Sequence, residues 1–443
     1  MTTQQTLQIE EYKQTELGEL PKEWEVVKLG DYCKVFSGFA FKSTDFVKEG
    51  VLVVKIGNIQ NGTVVIDNRT NYFPKEKIIG NIKKFILKKG EIIIAMTGAT
   101  TGKVGVVPKE HENSLLNQRV GKFDIFSREL DNNFFRYFSI TNEFQGKVLD
   151  NILKSAQGNV SPKQIKNINI SLPPLPEQQK IAYILSTVQT AQEKTENYIN
   201  SLKELKKSAM KHLFTYGAVS FEDIDKVELK ETEIGMMPKG WGVNSIGNLF
   251  DVQQGKQLSA KESKDGKQKK PFLRTSNLLW GKVTFEKIDY MYFTDKEIQK
   301  LILQENDILV CEGGDVGRTA LWRGELKECI YQNHLHRLRP KIDNYSPQLF
   351  LYWMDCAIQI MNLYVHNANR TTIPNISSSR LKEFIIPLPP LPEQQRIASI
   401  LSAIDDKIQA EEQKKEALKE TFNSLLKDLM TAKIRVNNLE VGA

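Results

Sequence analysis

Apolar positions along the chain fall into two rhythms. Short β-branched runs bounded by Gly, Asn and Lys read as strands: GVLVVKIGNI (50–59), KKGEIIIAMTG (88–98) and KVGVVP (103–108). PFLRTSNLL (271–279), ENDILVCEGG (305–314), RTALWRG (318–324) and HLHRLRP (334–340) echo them. Beyond the prolines at 173–176 the rhythm turns helical, with Ile181, Val188, Thr195, Leu202 and Ala209 recurring every seven residues and Ile184, Ala191, Tyr198 and Leu205 interleaved. A second stripe runs Ile397, Leu401, Ile404, Ile408, Leu418, Phe422, Leu425 and Leu429, with the polar EEQKKE in its middle. Short helices are expected at 131–149 and 347–364, where aromatic rings at helical spacing point to core packing rather than base stacking.

The two stripes belong to an internal repeat. LPPLPEQQKIAYILS (172–186) and LPPLPEQQRIASILS (388–402) share 13 of 15 residues, and the offset of 216 continues through Leu202/Leu418 to Leu213/Leu429. TELGELPKEW, ending at Trp24, matches TEIGMMPKGW, ending at Trp241. Between these blocks, 31–169 and 248–386 diverge, keeping only echoes such as KIGNIQNG (55–62) against RTSNLLWG (274–281). The organisation is variable, shared, variable, shared, with boundaries at 1–171, 172–219, 220–387 and 388–443.

Each shared helix has a stiff entry. Pro173 and Pro174 favour extended backbone, Pro176 fits a first helical turn, and Glu177 complements the helix dipole. A helix of about 40 residues extends about 60 Å, more than a domain of about 150 residues covers. Each helix could still pack only on its own domain. Pairing of the two in an antiparallel coiled coil suits the narrow stripe better; its seam would be Ile181, Val188, Leu202 and Leu205 against Ile397, Ile404, Leu418 and Leu425. The fold class expected is α+β: two strand-rich mixed domains joined by two long helices with pseudo-twofold symmetry.

Composition narrows the chemistry. Of 443 residues, 40% are hydrophobic and 26% charged, as in folded proteins, and apolar runs such as Ile92 to Met96 fall far short of the roughly 20 residues of a membrane helix. The polar, acidic N-terminus is unlike a secretory signal, so a cytoplasmic protein without a membrane partner is expected. Cys33, Cys311, Cys329 and Cys356 are scattered, and His334 and His336 have no carboxylate or cysteine to complete a ligand set, so no metal is expected. GATTGKVG (98–105) only resembles a phosphate loop: its glycines are four apart rather than five, and Val104 stands where the metal-binding Ser or Thr belongs. A turn between strands fits it better. Leu172 and Leu388 precede the proline pairs where an amino methyltransferase needs Asn or Asp. No catalytic set emerges.

Binding residues do emerge. The net charge is +7, and 254–271 carries Lys256, Lys261, Lys264, Lys267, Lys269 and Lys270, beside Arg274. Such a run is either a solvated face or a phosphate-contacting loop. Its counterpart, SGFAFKSTDF (37–46), holds Lys42 among aromatics. Asn58, Gln60, Asn117, Gln118 and Arg119 in the first half, with Asn277, Gln332, Asn333 and His334 in the second, are candidates for base-edge hydrogen bonds.

The repeated LPPLPEQQ-x-IA-x-IL leading a long helix, the repeated P-K-x-W opening and the divergent regions between them resemble the specificity subunit of Type I restriction-modification systems over essentially the whole chain. The resemblance implies a non-catalytic protein whose two target-recognition domains each read one half of a split double-stranded DNA sequence, with the helices as an antiparallel ruler. It also implies two adenine methyltransferase subunits docked on the helices, and restriction subunits joining them. S-adenosylmethionine and ATP with Mg would be held by those partners, and no cofactor by this chain. Two other classes stay open: a modification enzyme carrying its own methyltransferase, and a coiled-coil scaffold that does not touch DNA.

Overall fold

The computed structural model describes residues 11–153, 158–257, 267–342, 344–364 and 375–437. It divides into two units, Met1–Lys194 with Lys415–Ala443, and Thr195–Lys414. Both long helices, Leu175–Tyr216 and Leu391–Met430, contribute to both units.

In the first unit the strand Ile92–Ala95 is buried along its length, which explains its unbroken apolar run. Val120–Ile125 and then Cys33–Ser37 lie on one side of it; Val104–Val106, Thr63–Val64 and Ile59–Gln60 follow on the other. A smaller sheet sets Val51–Val54 between Leu115–Leu116 and Asn71–Phe73. The second unit repeats the plan. The fully buried Ile308–Cys311 lies between Thr319–Leu321 and Leu335–Pro340, which also pairs with Phe250–Gln254, and Gln268–Leu273 lies between Asp289–Phe293 and Ile330–Tyr331. The glycine-rich 98–102 segment is a turn between Ile92–Ala95 and Val104–Val106, with Gly98 and Gly102 at positive φ.

The aromatic-rich segments form the helices Asn132–Phe138, capped by Asp131, and Pro347–Asp355, capped by Ser346. Phe134, Phe135, Tyr137 and Phe138 are buried, as are Phe350, Tyr352 and Trp353, so the rings are core.

The shared blocks meet in each unit. Glu25–Lys28 pairs with Asn169–Leu172, and Gly242–Ser245 with Ile385–Leu388, just ahead of the long helices. The fully buried Gln178 donates to Pro173 O and Glu129 O, both at 2.8 Å, and accepts from Asp131 N at 2.8 Å. Gln394 does the same with Pro389 O, Asn344 O and Ser346 N. An amide serves because it donates and accepts at once, tying the start of the long helix to the cap of the aromatic one.

Within each unit the long helices pair antiparallel. In the first, Ile181 and Leu185 share a core with Leu429 and Met430, while Gln192 donates to Leu418 O at 2.9 Å. In the second, Met210 and Leu213 share one with Ile397 and Leu401, while Lys203 pairs with Glu412 at 3.0 Å. The seam of the first helix runs Ile181, Leu185, Val188, Gln192, Thr195, Ile199, Leu202 and Lys206, each at least half-buried. Leu205, expected in the seam, is 53% exposed, and Tyr198 is exposed as well. Alternating steps of four and three carry the stripe from Leu202 to Lys206, whose stem lies under cover while its ammonium sits 5.3 Å over the Tyr352 ring and 2.8 Å from Asp405. In the second helix Glu411 is buried and Lys415 half-buried, so the polar gap lies in the seam itself. Val188, Ile404, Leu418 and Leu425 are half-buried, and Ile397 and Leu202 buried.

Candidate nucleic-acid interface

One close approach builds the variable head in both units. A Cβ on Gly38 would lie 2.1 Å from Leu116 O, and one on Gly255 would lie 2.3 Å from Tyr331 O and Gln332 O, so only glycine lets the strand end reach the loop opposite. The contact is then locked by backbone bonds, Phe39 N to Leu116 O at 2.8 Å and Gln118 N to Phe39 O at 2.9 Å in the first unit. Lys256 N to Tyr331 O at 3.0 Å and Asn333 N to Lys256 O at 2.9 Å are the equivalents in the second. Asn117, Gln118 and Arg119 therefore correspond in place to Gln332, Asn333 and His334.

The other amides divide. Asn58 and Asn277 are buried and committed to their own turns: Asn58 accepts from Lys55 N and donates to Val65 O and Thr70 Oγ1, while Asn277 accepts from Arg274 N and donates to Thr284 O and Lys287 O. Neither has a polar atom left for a base, which corrects their place among the readers. Gln60 is half-buried and donates to Gly57 O. Asn117 is buried and accepts from Arg119 N; Gln118 and Arg119 are exposed. Gln332 and Asn333 are half-buried, and His334 is exposed with Nδ1 3.6 Å from Glu312.

The lysines divide too. Lys256 pairs with Glu297 at 3.0 Å over the Phe293 ring, and Lys270 is buried and pairs with Glu328 at 2.6 Å; with carboxylates already in contact, these two are fold elements rather than backbone readers. Lys267 is half-buried, Lys269 is exposed over the Tyr290 ring, and Lys42 is exposed. Lys261 and Lys264 lie outside the described residues. Arg274 is half-buried and meets Asp289 at 3.1 Å.

At Arg119 the first head has an open concavity of about 250 Å³, lined also by Phe41, Phe46, Lys55 and Gln118. The Lys55 ammonium lies 4.1 Å over the Phe46 ring and donates to Asn71 Oδ1 at 2.5 Å; burial, and then the charge of Arg119, hold it below the usual lysine range. Lys55 and Phe46 escaped sequence reading. The echo of KIGN and RTSN was the available signal, since it places Lys55 where Arg274 stands in the second unit.

Among the described residues, no group of three or more His, Cys, Asp or Glu could hold a metal ion, and no helix is long and apolar enough to cross a membrane. The four cysteines are buried and unbonded; burial pushes the thiols of Cys33, Cys329 and Cys356 up to about 12, far from reactive. His336 is buried against Ile376 O, whereas its neighbour His334 faces outward.

A repeated frame carrying two divergent polar heads is the architecture of a two-part reader. The family model of the Type I restriction modification DNA specificity domain matches residues 21–207 and again 238–420, and the chain belongs to that family. It is 26% identical to the specificity subunit of the Type I restriction enzyme MjaVIII of Methanocaldococcus jannaschii, covering 97% of each chain. The fold is shared with the S subunit of the Type I restriction-modification system of M. genitalium (TM-score 0.52, 17% identity, 92% of this chain and 96% of that one). It is shared also with a chain from a structure of complex assembly and conformational transition of the type I R-M system (TM-score 0.57, 17% identity, 94% and 99%).

Proposed function

We propose that this chain is the non-catalytic DNA-reading subunit of a Type I restriction-modification complex, each unit reading one half of a split double-stranded target. Two adenine methyltransferase subunits dock on the long helices, and restriction subunits join through that complex. S-adenosylmethionine and ATP with Mg are held by the partners, and the complex acts in the cytoplasm. The observation that carries this reading is the equivalence of Asn117, Gln118 and Arg119 with Gln332, Asn333 and His334: one frame presents two different sets of polar side chains.

The test is methylated-adenine mapping on random DNA with the purified chain plus its methyltransferase subunits. A two-part recognition sequence is expected, and exchange of residues 31–169 for a relative's segment should change one half alone. Methylation by the chain without partners, or a complex without sequence preference, overturns the reading.

A further inference from the structure

The two heads share a frame but differ in charge. In the second, the two cations nearest the equivalent loop each meet a carboxylate: Arg274 meets Asp289 at 3.1 Å and Lys256 meets Glu297 at 3.0 Å, while the His334 imidazole lies 3.6 Å from Glu312. In the first, Lys55 occupies the place of Arg274, and the position of Asp289 is taken by the neutral Asn71, as the strand registers Val53 to Asn71 and Phe272 to Asp289 place it. Arg119 stands in the place of His334, exposed, with no ion pair among the described residues. Two cations therefore share one concave, partly aromatic mouth without a counter-charge, and each raises the cost of the other.

Such a mouth favours a partner that brings hydrogen-bond acceptors. The volume of about 250 Å³ and the Phe41 and Phe46 wall suit the edge of a planar group better than a bare ion. A guanidinium presents two parallel N–H donors, and in DNA the matching pair of acceptors is O6 and N7 of guanine in the major groove. Phosphate oxygens are the other acceptors a duplex offers, but they need no shaped cavity and no aromatic wall.

We propose that Arg119, held outward by Lys55 behind it, reads the O6 and N7 edge of one guanine in the half-site of the first unit. This rests on the DNA-reading function above. Lys55 is a positioning residue; Arg119 is the one that touches the base. The second unit, with its carboxylates, does not read its half-site this way.

The experiment uses the full chain assembled with its methyltransferase subunits and a duplex library randomised over both half-sites, sequenced after selection. Wild type should show one guanine in the first half-site whose replacement lowers enrichment about 10- to 100-fold. Arg119→Gln should erase that preference or turn it towards adenine, the base a glutamine amide matches, and leave every other position as it was. Lys55→Met, which keeps the cavity wall apolar, should weaken the same position and no other. A uniform loss on all sequences, with the salt slope shallower by about 0.9, would make Arg119 a phosphate contact and overturn the proposal. Should Arg119→Gln fail to assemble, Lys55→Met decides, and an unchanged guanine preference there overturns it. A wild-type complex that selects no sequence would instead refute the DNA-reading function itself, a result separable from any behaviour of the two variants.

Discussion

Trp24 donates its indole N–H to Glu177 Oε2 at 2.9 Å, and Trp241 donates to Glu393 Oε2 at 2.8 Å. The tryptophan closes the repeated P-K-x-W block and the glutamate lies in the repeated LPPLPEQQ block, so two separate sequence signatures are one clamp. The glutamate also sits in the first turn of a long helix, where the dipole favours a negative charge. The second partner differs between the units. Arg435, just past the second long helix, forks onto Glu177 at 2.8 and 3.1 Å, whereas beside Trp241 the described residues give Glu393 the backbone N–H of Ala218, just past the first, at 3.3 Å.

That difference sets the cost of neutralising each glutamate. Arg435 and Glu177 are 7% and 3% exposed as side chains, so Glu177→Gln takes from a nearly buried guanidinium its most buried described carboxylate partner, with Glu23 still in contact. The expected loss is about 3 kcal/mol. Glu393→Gln keeps an acceptor for Trp241 and strands no cation among the described residues, so about 1 kcal/mol or less is expected. Urea unfolding of the two variants checks the order, and equal losses would remove the role given to Arg435.

How much was legible follows from the kind of signal. Burial on both faces leaves an unbroken apolar run, so the strands around Ile92–Ala95 and Ile308–Cys311 showed in the sequence. The repeat exposed the frame because both copies are held to one geometry by the Gln178 and Gln394 bonds. Leu205 misled because an apolar residue one step away stood in for Lys206, and no pattern of apolarity shows a lysine stem packing on Tyr352. Asn58 and Asn277 misled for a related reason. A turn amide and a base-reading amide have the same composition, and only the carbonyls around them tell the two apart.

Asn58→Ala tests that distinction. Its amide satisfies three partners inside the turn, so its removal should destabilise the first unit by about 1–3 kcal/mol. Assembled with methyltransferase subunits at a temperature where it stays folded, the variant should keep the wild-type recognition sequence. A changed base preference in the mapped sites would return Asn58 to the reading surface.

The lysines of the second head should separate by their partners. Lys269 is exposed and Lys270 is paired with Glu328, so Lys269→Gln should flatten the salt dependence of DNA binding by about 0.9 if it meets one phosphate. Lys270→Gln should leave the slope alone and lower the melting temperature instead. Titrations of the assembled complex at several salt concentrations, beside thermal unfolding, give both readouts. Interchanged results would mean that the Lys270 pair opens to DNA.

Asp355 offers a test by pH. It ends the helix Pro347–Asp355 in the second unit, with the Lys206 ammonium 3.9 Å away, and Lys206 lies closer to Asp405, at 2.8 Å. Burial raises its pKa above the ordinary 3.8; Lys206 and the Gln359 amide only partly oppose this, and Asp405 adds to it. A raised carboxyl means that the folded protein holds the proton more tightly than the unfolded chain. Its contribution is therefore fully present below 3.8 and is lost as pH climbs through the higher folded value. Asp355→Asn keeps the shape and the bond with Gln359 but cannot ionise. Relative to wild type it should gain stability steadily as pH rises above 3.8, then level off once the folded carboxyl has ionised. Melting temperatures of both proteins between about pH 4 and 8 isolate this group, because the other titrations cancel in the difference. If the variant instead loses ground as pH rises, Lys206 outweighs burial and the carboxylate is a stabilising partner in the folded unit.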